Sequence, residues 1–173
     1  MGITGEDAAR VAAQSASGTL HVMTDRTSSS ITVAADRATV MGVIADFGAY
    51  PDWATGVRSA EVVETGPAGA PHRVRFRLDT GVIRDSYVLA YEWDSDAAVR
   101  WQLAEAGSMV TEMSGAYLLA DEGGATKVSY ELAVATKMPM PGILRRRAEK
   151  TIIDTALRGL KSRVEAGPSA GRR

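Results

Sequence analysis

The sequence predicts an α+β fold, a curved antiparallel sheet of seven strands wrapped on one long C-terminal helix. Three observations carry this. From Arg58 to about Lys137, apolar and polar residues alternate with period two in six short runs separated by turn signals. A seventh run, "SSSITVAA", stands apart near the N-terminus, with a short helical pattern between it and the six. After "MPMPG" the period changes to 3.6 and holds for about 24 residues, roughly 36 Å of helix.

Residues 1–27 are rich in Ala, Ser, Gly and Thr and show little periodicity, so they read as a disordered or added extension. A single domain is expected at 28–167, and 168–173 as a flexible tail. In the first strand Ile31 and Val33 alternate with small polar residues. Asp36 is a good N-cap, and Val40, Val43, Ile44 and Phe47 recur at helical spacing, which predicts an amphipathic helix over Arg37–Phe47 ended by Gly48. The stretch "YPDW" then sets Tyr50 and Trp53 in a turn, with Trp53 expected inward and Tyr50 against the long helix.

Six strands follow. In "HRVRFRLD", Val74, Phe76 and Leu78 take one face and Arg73, Arg75 and Arg77 the other. "IRDSYVLAYEW" alternates Tyr87, Leu89, Tyr91 and Trp93, and "VRWQLAE" alternates Val99, Trp101 and Leu103. "VTEMSGAYLLA" and "TKVSYELAVAT" flank the turn "DEGGA". Gly115 inside its strand suggests a bulge or bend. In the final helix Leu144, Ala148, Ile152, Ile153, Ala156, Leu157, Leu160 and Val164 mark one broad apolar face, stopped by Gly167 and Pro168. Ala156 and Gly159 are small, and on or beside that face they would leave volume for a ligand.

Composition narrows the function. With 45 % hydrophobic and 24 % charged residues, the 173-residue chain can build a substantial core. It has no cysteine, hence no disulfide, thiol nucleophile or cysteine metal site, which suits a cytoplasmic location. Its two histidines, His21 and His72, are isolated, and no metal-ligand spacing, phosphate loop or nucleophile elbow is present, so no metal or cofactor is expected. No apolar run reaches the ~20 residues of a membrane-spanning helix, and the N-terminus lacks a signal-peptide pattern. Net charge is −1 but uneven: Leu144–Arg173 holds nine Lys/Arg against three Asp/Glu. That basic end is either a solvated helix face or a contact for an anionic partner: a membrane surface, RNA or the ribosome.

A helix is only about 10–12 Å wide and cannot seal a wide, curved sheet. A gap lined by Val, Leu, Tyr and Trp is the natural outcome, and such gaps bind apolar molecules. The element order, with "ITVAADRATVMGVIADFGAYPDW" at 31–53, "RDSYVLAYEW" at 84–93, "WQL" at 101–103, "SGAYLL" at 114–119, "VSYELAV" at 128–134 and "RRRAEKTIIDTALRGLKSRVE" at 145–165, resembles the helix-grip fold of the START-like (SRPBCC) superfamily. Within it the chain is similar to the polyketide cyclase/dehydrase or coenzyme Q-binding branch. The resemblance implies a hydrophobic cavity and no fixed catalytic constellation.

The expected function is therefore binding, transport or sequestration of a lipid, isoprenoid quinone or polyketide between sheet and C-terminal helix. The ligand-facing positions are Trp53, Phe76, Leu78, Leu89, Tyr91, Trp101, Leu103, Met113, Tyr117, Tyr130, Met138, Ile152 and Ala156. The alternative is a polyketide aromatase/cyclase, whose general base or hydrogen-bond donor would come from Asp85 and Tyr87. A second alternative is an interaction protein acting through the basic helix. No DNA partner is expected, and the chain is expected to be a monomer or weak homodimer.

Overall fold

The computed structural model describes residues 26–81 and 83–167. The expected extension lies outside these residues except at its end, where Arg26 pairs with Glu131 at 3.4 Å and Thr27 already opens the first strand. The expected tail at 168–173 also lies outside them. Strand β1 is Thr27–Val33, followed by helix α1 (Arg37–Ala45), a 3-10 turn (Phe47–Ala49) and a single helical turn, α2 (Tyr50–Trp53). Strands β2 (Val57–Thr65), β3 (Pro71–Asp79), β4 (Arg84–Asp94), β5 (Ala98–Glu105), β6 (Val110–Asp121) and β7 (Thr126–Thr136) then precede the long helix α3 (Gly142–Glu165).

All seven strands form one antiparallel sheet in the order β1-β7-β6-β5-β4-β3-β2. β2 to β7 form a meander because each is joined to the next by a short connection. β1 pairs with β7 at the far edge, Ile31 opposite Val128. The segment α1–α2 therefore has to span from one edge of the sheet to the other, and it does so across the inner face. This is the α+β helix-grip arrangement expected from the sequence. Among the described residues no helix is long and apolar enough to cross a membrane.

The segment between β1 and β2 differs from expectation in detail. Asp36 caps α1, its side chain accepting from the Thr39 N–H at 2.8 Å. The helix ends at Ala45 rather than Phe47, because Asp46 leaves helical geometry at ψ 75°. The chain then rewinds, and "YPDW" is a helical turn with Pro51 in its first turn, where a missing N–H is harmless. Gly115 brings no bulge: the irregularity in the β6–β7 register falls between Val110 and Glu112. A Cβ on Gly115 would instead collide with the Trp101 indole, so the glycine makes room for a ring lying across its strand.

Helix α3 packs over β1 and β7. Its C-terminal half is tied to β1 by Lys161, which donates to the Thr32 carbonyl at 2.7 Å, and to the residue just after β1 by Glu165, which accepts from the Ala34 N–H at 3.0 Å. The buried stripe is Glu149, Ile153, Leu157, Leu160 and Val164. Leu144, Ala148 and Ile152, expected on that stripe, are exposed. The helix leans onto the β1–β7 edge, which rotates its contact line by one position and leaves those three outside.

Candidate functional site

The inner face of the sheet is built from aromatic pairs. Register places Phe76 opposite Tyr87, Tyr91 opposite Trp101 and Tyr117 opposite Tyr130, with ring centroids 6.0, 5.9 and 4.6 Å apart. Directly opposed rings on one face are among the stronger cross-strand contacts. Phe47 bridges this wall to α1–α2, meeting Tyr50, Phe76, Tyr91 and Trp93 at 4.9–6.2 Å. Tyr50 in turn meets Trp53 at 4.7 Å. The three Trp, five Tyr and two Phe of the chain thus form one connected network.

Tyr50 and Trp53 exchange the roles expected of them. Tyr50 is buried inward, its hydroxyl donating to the Ile44 carbonyl at 2.6 Å and locking α2 back onto α1. Trp53 is half-buried and packs on α3 at Gly159, where a Cβ would strike the Trp53 carbonyl oxygen. Gly159 is therefore the crossing point of α2 and α3, not free volume for a ligand.

The other four tyrosines, Tyr87, Tyr91, Tyr117 and Tyr130, are buried, and among the described residues only Tyr50 has a protein partner for its hydroxyl. Burial raises the pKa of all four, and in Tyr87, Tyr91 and Tyr117 the neighbouring buried tyrosines add to it. They remain neutral phenols, able to donate to an oxygen brought among them. Of the remaining ligand-facing positions, Phe76, Leu89 and Trp101 are buried in the same core, while Leu78, Leu103, Met113 and Ala156 are half-buried against it. Met138 and Ile152 are exposed and are not brought to this surface.

Asp85 is inward and buried, yet it is fully engaged. Oδ1 accepts from the N–H groups of Ser86 (2.9 Å) and Ser108 (2.7 Å) and from the Ser108 hydroxyl (3.0 Å). Oδ2 accepts from the N–H groups of Met109 (3.0 Å) and Val110 (2.8 Å). Gly107 leaves the room this requires. Burial opposes the charge, but the backbone donors of Val110, Ser108, Met109 and Ser86 outweigh it and hold the carboxyl below its ordinary range. A carboxylate so placed pins the β5–β6 loop and is a poor general base.

Glu149 is not among the residues expected at the site. It is buried on α3, accepting from the Thr27 hydroxyl at 2.6 Å and the Val134 N–H at 3.0 Å, and so ties the helix to β1 and β7. The available signal is a glutamate four residues before Ile153 on the apolar stripe. An open groove of about 310 Å³ also lies beside α2, lined by Pro51–Arg58 and Asp79. Asp52, Thr55, Arg58 and Asp79 in its walls make it unsuited to an apolar ligand.

A seven-stranded sheet gripping a C-terminal helix, with an aromatic inner wall, defines a START-like (SRPBCC) protein. Solved structures agree on the fold. A START superfamily protein from Mycobacterium smegmatis superposes with a TM-score of 0.76 at 21 % identity, covering 82 % of this chain and 97 % of that one. The Zhui aromatase/cyclase from a Streptomyces species gives 0.69 at 18 % identity, covering 86 % and 98 %. A protein of Thermus thermophilus gives 0.69 at 23 % identity, covering 83 % and 99 %. Residues 33–161 match the family described as polyketide cyclase / dehydrase and lipid transport, and the chain belongs to that family. No curated protein matches its sequence.

Proposed function

We propose that the chain binds a hydrophobic small molecule carrying a few oxygen acceptors, such as a polyketide, an isoprenoid quinone or a lipid, between the inner face of the sheet and α3. One observation carries this reading: four neutral interior phenols, without protein partners among the described residues, stand on a wall of aromatic rings. Such a surface favours a largely apolar ligand through area, and orients its carbonyl or hydroxyl oxygens through the phenols. Family membership and the lipid-transport part of its description support the same reading.

Cyclisation has weaker support. It needs a carboxylate or other base free to take a proton, and the two carboxylates buried among the described residues, Asp85 and Glu149, are both held by donors. On this reading the protein is a carrier or sequestering protein of the cytoplasm, acting as a monomer or weak dimer.

Native mass spectrometry of the protein from expressing cells, followed by organic extraction, tests the proposal. A stoichiometric apolar molecule with ketone, quinone or hydroxyl oxygens is expected. A protein that stays empty when offered such molecules, with intrinsic fluorescence unmoved, would sink it.

A further inference from the structure

One end of the molecule combines two features that folding does not use. Met138 and Met140 in the β7–α3 connection, and Ile143 and Leu144 in the first turn of α3, are 68, 48, 75 and 50 % exposed. Four large apolar side chains so close together form a patch rather than the scattered exposure usual on a soluble surface. Around them stand Lys137, Arg145, Arg146 and Arg147, and the first turn of α3 carries no acidic residue. Among the described residues none of these four cations has an ion-pair partner.

The position of the arginines sharpens the point. A helix N-terminus carries a partial positive charge, so three arginines beside it repel the dipole and one another. The elements here are held elsewhere: the Lys137 N–H donates to the Met109 carbonyl at 2.9 Å, and Glu149 anchors the helix two turns on. No ion pair of this charge cluster holds these elements together among the described residues.

We infer that this end, Lys137–Arg147, is a docking surface for an anionic lipid bilayer. Aliphatic side chains would enter the boundary between headgroups and acyl chains, while the flanking guanidinium groups meet lipid phosphates within a Debye length. A nucleic acid would satisfy the arginines but gives exposed Ile, Leu and Met nothing to bury against, since it is read through phosphates and aromatic stacking. The inference goes beyond ligand binding and stands whatever occupies the interior. It gives an apolar cargo a route to and from the membrane.

The test is co-sedimentation of the full chain with vesicles of phosphatidylcholine alone and of phosphatidylcholine mixed with phosphatidylglycerol, at low and high salt. Binding to the anionic vesicles, weakened by salt, is expected, with little to the neutral ones. The double variant R146A/R147A should bind about 25-fold more weakly, at roughly five-fold per arginine. I143S/L144S should lose about ten-fold through apolar area alone. Both variants change exposed side chains, so unchanged thermal melting shows that the fold is intact. Absence of binding to anionic vesicles would overturn the inference. So would binding that I143S/L144S leaves untouched, or capture of single-stranded RNA through Arg146 and Arg147 without vesicle binding.

Discussion

Asp85 shows how far one carboxylate can organise a loop. It gathers four backbone N–H groups and a hydroxyl, and four of the five donors belong to residues 108–110, across the sheet end from β4. Asp85→Asn keeps the shape but replaces one acceptor oxygen by a donor, facing an N–H with an N–H. A destabilisation of about 1–3 kcal/mol is expected from the unsatisfied buried group, read by chemical denaturation. The pH dependence has a definite sign. The folded-state pKa lies below the unfolded value, so the contribution is complete above the unfolded pKa and is lost as pH falls through the folded one. The wild type should thus lose stability on the acid side more steeply than Asp85→Asn; parallel acid limbs would count against the anchoring role.

At the level of elements, two contacts decide where α3 sits. At Gly159 the helix touches the α2 backbone. Alanine is the better helix former by about 1 kcal/mol, so Gly159→Ala would raise stability if the site were open. The expected result is the opposite, a lower Tm with altered Trp53 fluorescence, because the added methyl pushes α2 from α3. Nearer the helix start, Glu149→Ala leaves the Val134 N–H and the Thr27 hydroxyl without their acceptor. A loss of about 1–3 kcal/mol is expected for that. Amide exchange should quicken in the first half of α3, and protection unchanged from wild type there would show that the helix is held by apolar packing alone.

The whole molecule couples a rigid aromatic wall to a helix fastened at its C-terminal half and at Glu149. Its stability should be indifferent to the interior phenols if they are kept for a ligand. The variant Y117F/Y130F is expected to melt within a degree or so of wild type, since no protein hydrogen bond is lost. It should retain about ten-fold less of an oxygen-bearing apolar ligand, at one modest hydrogen bond per phenol. A marked drop in Tm would mean that the hydroxyls serve the fold. Equal retention by the two proteins would mean that the ligand is held by area without orientation.

Period and punctuation carry most of the architecture. The alternation of Tyr87, Leu89, Tyr91 and Trp93, and of Val74, Phe76 and Leu78, assigns strands and faces because side chains in a strand alternate regardless of what covers them. The 3.6 period after "MPMPG" likewise shows the long helix, and the order of elements is enough to indicate the family. Local pattern does not say which of Tyr50 and Trp53 turns inward, because both fit one helical turn and only the approach of α3 at Gly159 chooses between them. Nor does it say that Asp85 is saturated, since four of its five donors lie 23–25 residues away. The stripe of α3 departs from its pattern at Leu144, Ala148 and Ile152 for the same reason: a wide apolar face admits several rotations, and Glu149 on β1 and β7 selects one. The amino-acid sequence by itself determined the strands, the helices, their order and the aromatic character of the inner face, all properties of local period and side-chain chemistry. Tertiary structure alone decided which polar groups are spent on folding and which are left without a protein partner among the described residues, because hydrogen-bond satisfaction depends on residues that only the closed sheet brings together.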